Sequence, residues 1–110
     1  MYVRIFVNAD SKEEALRHLS NFEGYISNSV IALQNTKFEQ YWKIPEQYCV
    51  EYTFEDVINE RFYETINKLG NNPYVTSDGE IIEEYIFSRT TGEIFLENID
   101  WILINTSKNY

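Results

Sequence analysis

Two stretches of alternating apolar residues each run straight into a helical stripe, and that pairing limits the fold more than any other feature of the chain. Residues 2–8 (YVRIFVN) set Val3, Ile5 and Val7 against Arg4 and Asn8, the period-2 pattern of a half-buried strand. Ser11 with Glu14 three residues on makes a capping box. Ala15, Leu16, Leu19 and Phe22 follow at helical spacing, with Gly24 expected to stop the helix. Later, Tyr48, Val50, Tyr52 and Phe54 alternate with Cys49, Glu51 and Thr53. Thr53 with Asp56 then reads as the cap of a second helix. Val57, Ile58, Phe62, Ile66 and Leu69 form its stripe, and Gly70 suits a left-handed position just past its end.

Residues 25–44 read in two ways: as strands over 25–33 and 37–44 around a Gln34-Asn35-Thr36 turn, or as one long strand closed by Pro45. The last third reads as a meander. Asp78-Gly79 is a hairpin signal between 74–76 and 80–88, Thr90-Thr91-Gly92 is a second turn before 93–96, and 99–105 (IDWILIN) is a final apolar strand. This order predicts a single α+β domain over 1–110, a mainly antiparallel sheet with two helices on one face. The expected topology is a ferredoxin-like β-α-β-β-α-β core extended by a C-terminal β-meander. A chain of 110 residues can bury one core without disulfides.

Little in the chain carries chemistry. His18 is the only histidine and sits on the first helix beside Leu19, where a partly exposed side chain is the expectation. Cys49 is the only cysteine and falls on the less apolar side of its strand, so packing suits it better than nucleophilic attack. These two residues cannot make a structural zinc site. The spaced acids of a calcium loop are absent, which leaves Glu83, Glu84 and Asp100 as an open place for a divalent cation. Four unclustered glycines form no phosphate cradle. No catalytic residue, cofactor or metal is therefore assigned. No apolar run approaches the roughly 18 residues of a membrane span, and the N-terminus lacks the apolar core of a signal peptide. A cytoplasmic protein without a membrane contact is the expectation, consistent with a single cysteine.

Charge is the one feature that points outward. Residues 1–43 carry five acids and five bases, whereas 44–110 carry thirteen acids and four bases and hold the whole net charge of −9. Asp56, Glu60 and Glu64 recur every four residues, a helical stripe that amphipathicity and the macrodipole largely account for. Glu80, Glu83, Glu84, Glu93, Glu97 and Asp100 are a different case. Like charges facing each other destabilise a sheet, so their density asks for a partner, with Tyr85 among them supplying an aromatic contact. Clustered lysine and arginine, which direct nucleic-acid binding requires, are missing.

These residues predict an acidic inhibitor that binds a basic protein such as a nuclease, where carboxylates take the place of phosphates and complementary charge speeds docking. In size, acidity and lack of motifs the chain resembles the small bacterial immunity proteins and antitoxins that neutralise nuclease toxins. That resemblance implies a basic toxin as the partner. A DNA mimic such as an anti-CRISPR protein is the sibling alternative. A small α+β enzyme or ligand-binding domain using Tyr41, Trp42, Glu51 and His18 is the second. A self-associating module whose charge maintains solubility is the third.

Overall fold

The alternation of residues 2–8 becomes the hinge of the whole architecture. In the computed structural model, which describes residues 1–79 and 81–107, β1 (Tyr2–Asn8) buries Val3, Ile5 and Val7 fully and turns Arg4 and Phe6 to the opposite face. Helix α1 (Lys12–Ser27) follows. Ser11 caps it as expected, its Oγ accepting the Glu14 N–H at 3.2 Å, while the Glu14 carboxylate accepts from the Asp10 N–H at 3.4 Å in place of the Ser11 N–H of a full capping box. The helix does not stop at Gly24. Ile26 lies one turn past Phe22 on the same stripe and is fully buried, and that packing outweighs the roughly 1 kcal/mol penalty of a helical glycine. Asn28 ends the helix, its Nδ2 donating to the Gly24 carbonyl at 3.0 Å.

Next come β2 (Val30–Ile31), β3 (Gln34–Gln40), β4 (Gln47–Thr53) and β5 (Asp56–Val57). Gln34-Asn35-Thr36 is part of β3 rather than a turn. A bulge between Asn35 and Lys37 accommodates it, with Asn35 Nδ2 donating to the carbonyls of Lys37 and Glu51. Thr53 is the last residue of β4, not a helix cap, and α2 (Asn59–Leu69) starts only at Asn59. Tertiary pairing explains the delay: Asp56 and Val57 pair with Ile31 and Val30, and the Ile58 N–H bonds to the Ser29 carbonyl before the helix can begin. Past the helix, Gly70 is extended at φ 172° and not left-handed. It opens β6 (Gly70–Asn71), which pairs with β9 (Glu93–Ile94), and a Cβ at Gly70 would collide with the Glu93 carbonyl oxygen.

The remaining strands are β7 (Tyr74–Asp78), β8 (Ile81–Ser88) and β10 (Ile99–Asn105). They complete a six-stranded sheet of order β3-β4-β1-β10-β8-β7, with every neighbouring pair antiparallel. The fold is thus α+β. β4 lies between β1 and β3, the split β-α-β arrangement, while the meander runs from the far edge inward so that its last strand, β10, flanks β1. Gly79 turns the β7–β8 hairpin with φ 64°.

One face of this sheet packs on the helices. Ile5, Val50, Phe87, Ile102 and Ile104 meet Leu19, Phe22, Ile26 and Leu69 in a single buried cluster. Segment 93–98 leaves the sheet and joins the helix layer. Ile94 and Leu96 are buried there, the Phe95 N–H bonds to the Leu69 carbonyl at 2.9 Å, and the Arg89 guanidinium donates to the carbonyls of Ile94 and Leu96. The other face of the sheet has no element packed over it among the described residues.

Candidate protein-binding surfaces

Helix α2 exposes Glu60 and Glu64, while Asp56 precedes the helix and turns its Oδ1 back on the Val57 N–H at 2.8 Å. Lys68, which completes the stripe, lies over the Tyr25 ring at 5.3 Å. Glu93 is exposed on β9, tied to the end of α2 through β6, and Glu97 is exposed beside Arg17, His18 and Asn21 of α1. Folding therefore puts Glu60 and Glu64 of α2, Glu93 of β9 and Glu97 of the segment after it in one layer. Among the described residues none of the four forms an ion pair.

The other expected contact residues go elsewhere. Asp100 accepts from Gln47 Nε2 at 2.9 Å and pairs with Arg89 at 3.6 Å, and Glu84 accepts from Asn105 Nδ2 at 3.2 Å. Glu83 is half-buried, with its backbone carbonyl accepting from the Thr106 N–H. Tyr85 is 6% exposed and packs edge-on against Phe62 with centroids 6.0 Å apart. Burial, and then the neighbouring Tyr63, push its phenol above the usual range. Asp56 and Tyr85 do share one depression, with Phe62, Tyr63 and Ile82 between them. Glu80 lies outside the described residues.

The uncovered sheet face carries a different chemistry. Trp42, Tyr41, Phe6 and Trp101 form a continuous row with successive ring centroids 6.3, 5.1 and 5.5 Å apart. Register creates its centre, since Phe6 pairs with Trp101 across β1 and β10. The 41–46 loop supplies its end: the Tyr41 N–H bonds to the Gln47 carbonyl at 2.7 Å, and Gln40 Nε2 donates to the Pro45 carbonyl at 2.7 Å. Trp42 is 80% exposed. Arg4 bonds Glu51 at 2.8 Å and Lys37 pairs with Glu39 at 3.7 Å beside the row, around a depression of about 280 Å³ floored by Cys49. Burial, and then the charge of Glu51, push the Cys49 thiol up and so disfavour the nucleophilic thiolate. Sequence reasoning missed the row, although part of a signal exists: Phe6 falls on the polar parity of its strand, with Arg4 and Asn8, whereas Trp101 alternates with the apolar Ile99 and Leu103 and carries no such mark.

His18 does not join Tyr41, Trp42 and Glu51. It lies on α1, on the opposite side of the sheet, with Glu14 3.3 Å from Nε2 and Asn98 Nδ2 3.3 Å from Nδ1. With the Asn98 amide as donor, Nδ1 accepts and Nε2–H donates to Glu14, so both ring nitrogens are engaged. This histidine fastens α1 to segment 93–98. Among the described residues, no three His, Cys, Asp or Glu side chains converge to hold a metal ion.

No family model, curated protein or solved structure matches this chain. Two surfaces of contrasting charge are what it presents to other molecules. No helix among the described residues is long and apolar enough to cross a membrane.

Proposed function

We propose that the chain is an acidic binding protein that docks on a basic protein and blocks it, as bacterial immunity proteins and antitoxins block nuclease toxins. One observation carries the reading: Glu60, Glu64, Glu93 and Glu97 are exposed, share the helix layer and lack ion-pair partners among the described residues, in a chain of net charge −9. Arg17 borders Glu97, and Arg61 and Lys68 border Glu64, so it is the −9 of the whole chain, added to these four unpaired carboxylates, that favours a positive surface. A nuclease offers one, because its substrate channel is lined to receive phosphates. Long-range attraction then raises the association rate, and carboxylates in the channel exclude the substrate. Nucleic acid and anionic membrane are both repelled by the same layer. A free, buried Cys49 suits a reducing bacterial cytoplasm, where an inhibitor of this kind protects its own cell.

The reading frame beside the gene supplies the candidate partner, and a secreted protein with a basic C-terminal nuclease domain is expected there. Stopped-flow association with that domain should slow steeply as salt rises. Changing Glu60, Glu64, Glu93 and Glu97 together to Lys should lower the rate at least tenfold and abolish inhibition of the nuclease. An unchanged rate with inhibition intact overturns the proposal.

A further inference from the structure

We infer that the uncovered sheet face seats a second copy of this chain, forming a face-to-face homodimer that leaves both acidic helix layers outward. This goes beyond the basic-partner reading and uses the opposite side of the molecule.

The first argument is the row itself. Trp42, Tyr41, Phe6 and Trp101 present connected ring surface, with Trp42 80% and the outlying Tyr74 62% exposed. Phe6, Tyr41 and Trp101 are half-buried, so Trp42 is the exposed end of a connected ring surface, and such surfaces mark interaction sites. The second argument concerns the polar groups around the row. Arg4 is engaged by Glu51, Lys37 by Glu39, Gln47 and Arg89 by Asp100, and Gln40 by the Pro45 carbonyl. A small polar ligand would have to compete with these internal contacts, whereas the ring area of the face needs none of them broken.

Charge selects the occupant. A chain of net charge −9 repels its own copy wherever unpaired acids face each other, as they do in the helix layer. On the sheet face Glu51, Glu39 and Asp100 each have a basic partner, while Glu84, without one, accepts from Asn105 Nδ2. Two copies can therefore approach there with little repulsion, whereas a strongly basic partner gains little from that face. Size is consistent with this. Six strands at about 4.8 Å spacing and seven residues at about 3.4 Å rise give a face of about 24 by 24 Å. That outline of about 580 Å² is close to the roughly 600 Å² per partner of the smallest specific interfaces, so the contact has to use the whole face. Phe6 and Trp101 occupy the two central strands, so a two-fold axis parallel to these strands sets this central ring pair against its copy.

The two contacts have opposite salt dependence, because screening weakens binding to a basic partner but relieves repulsion between identical acidic chains. Sedimentation velocity of the full chain over a concentration series, at low and high salt, reads this directly. The expected result is a monomer–dimer equilibrium whose dissociation constant falls several-fold on adding salt. Trp42→Glu, at an exposed loop position, should raise that constant at least tenfold with the unfolding midpoint unchanged at dilutions where both proteins are monomeric. Trp101→Ala should weaken the dimer in the same direction. Glu60→Lys with Glu64→Lys should leave the dimer intact or tighten it. A monomer at every concentration and both salts overturns the inference. So does a dimer that is indifferent to Trp42→Glu and Trp101→Ala, or one that loosens as salt rises. A dimer broken instead by Val75→Pro, in the edge strand β7, places the contact at the sheet edge and overturns it too. Loss of nuclease inhibition without change in sedimentation touches only the basic-partner reading, so the two failures are distinguishable.

Discussion

Tyr52 donates its phenolic hydrogen to Glu23 Oε1 at 2.6 Å, fastening helix α1 to strand β4 at the margin of the core. The ring is 2% exposed and packs against Phe22 with centroids 5.7 Å apart. Burial, and then the bond to Glu23, push the phenol far above its ordinary range. Tyr52→Phe keeps the ring but leaves the Glu23 carboxylate without this donor. A loss of about 2 kcal/mol is expected from urea unfolding at pH 7, the usual scale for a hydrogen bond to a charged group. The raised phenol also fixes a pH dependence. Its contribution is fully present below the unfolded phenol value of about 10 and is lost as pH rises above it. Unfolding free energies measured from about pH 8 to about pH 11 should therefore fall more steeply for the native chain than for Tyr52→Phe.

Acid acts on a different pair. The hydrogen bond from His18, foremost, and the Asp10 N–H hold the Glu14 carboxyl below its usual value. A carboxyl lowered by folding contributes stability above its unfolded value, about 4.3, and loses it as pH falls through the folded value. Glu14→Gln should flatten the acid limb of the stability curve below about pH 5. Equal acid limbs for the two proteins, measured by urea unfolding at successive pH values, would show that the His18 bond contributes nothing to folding.

Two glycines should respond to alanine with opposite sign. A Cβ at Gly70 meets the Glu93 carbonyl oxygen and comes within 3.0 Å of the Phe87 ring, so Gly70→Ala should destabilise by about 1–3 kcal/mol through overpacking. Gly24 lies inside α1 with no atom within 4 Å of an added Cβ. Gly24→Ala should stabilise by roughly 0.5–1 kcal/mol, the difference in helix propensity. Thermal unfolding of the two variants checks both signs, and a neutral Gly70→Ala would mean that β6 and β9 do not close together as described.

The elements whose periodicity agreed with their packing were legible. Val3, Ile5 and Val7, the Ser11 cap and the alternation around Tyr52 all read correctly because burial reinforced each local pattern. Gly24, Thr53 and Gly70 misled for a common reason. Each stands where local chemistry suggests a helix boundary, yet a distant contact sets the backbone there: the buried Ile26, the pairing of β5 with β2, and the approach of Glu93. The surface was harder to read. Glu84 and Asp100 looked like part of an acidic array, but Asn105, Gln47 and Arg89 engage them from other strands or from the turn after β8. Tyr85 looked like a contact residue and is packed inside.

The sequence by itself determined an α+β chain with an excess of acid in its second half and no catalytic or metal signature, because composition and periodicity are local properties of a polymer. Which acids stand together was decided by tertiary structure. Segment 93–98 leaves the sheet to pack on the helices, carrying Glu93 and Glu97 to the layer of Glu60 and Glu64, while β10 inserts beside β1 and lays Trp101 against Phe6. Charge density can be counted along a chain. Charge neutralisation and ring contact depend on register between strands far apart in sequence, as those of Phe6 and Trp101 are, and only the folded sheet sets that register.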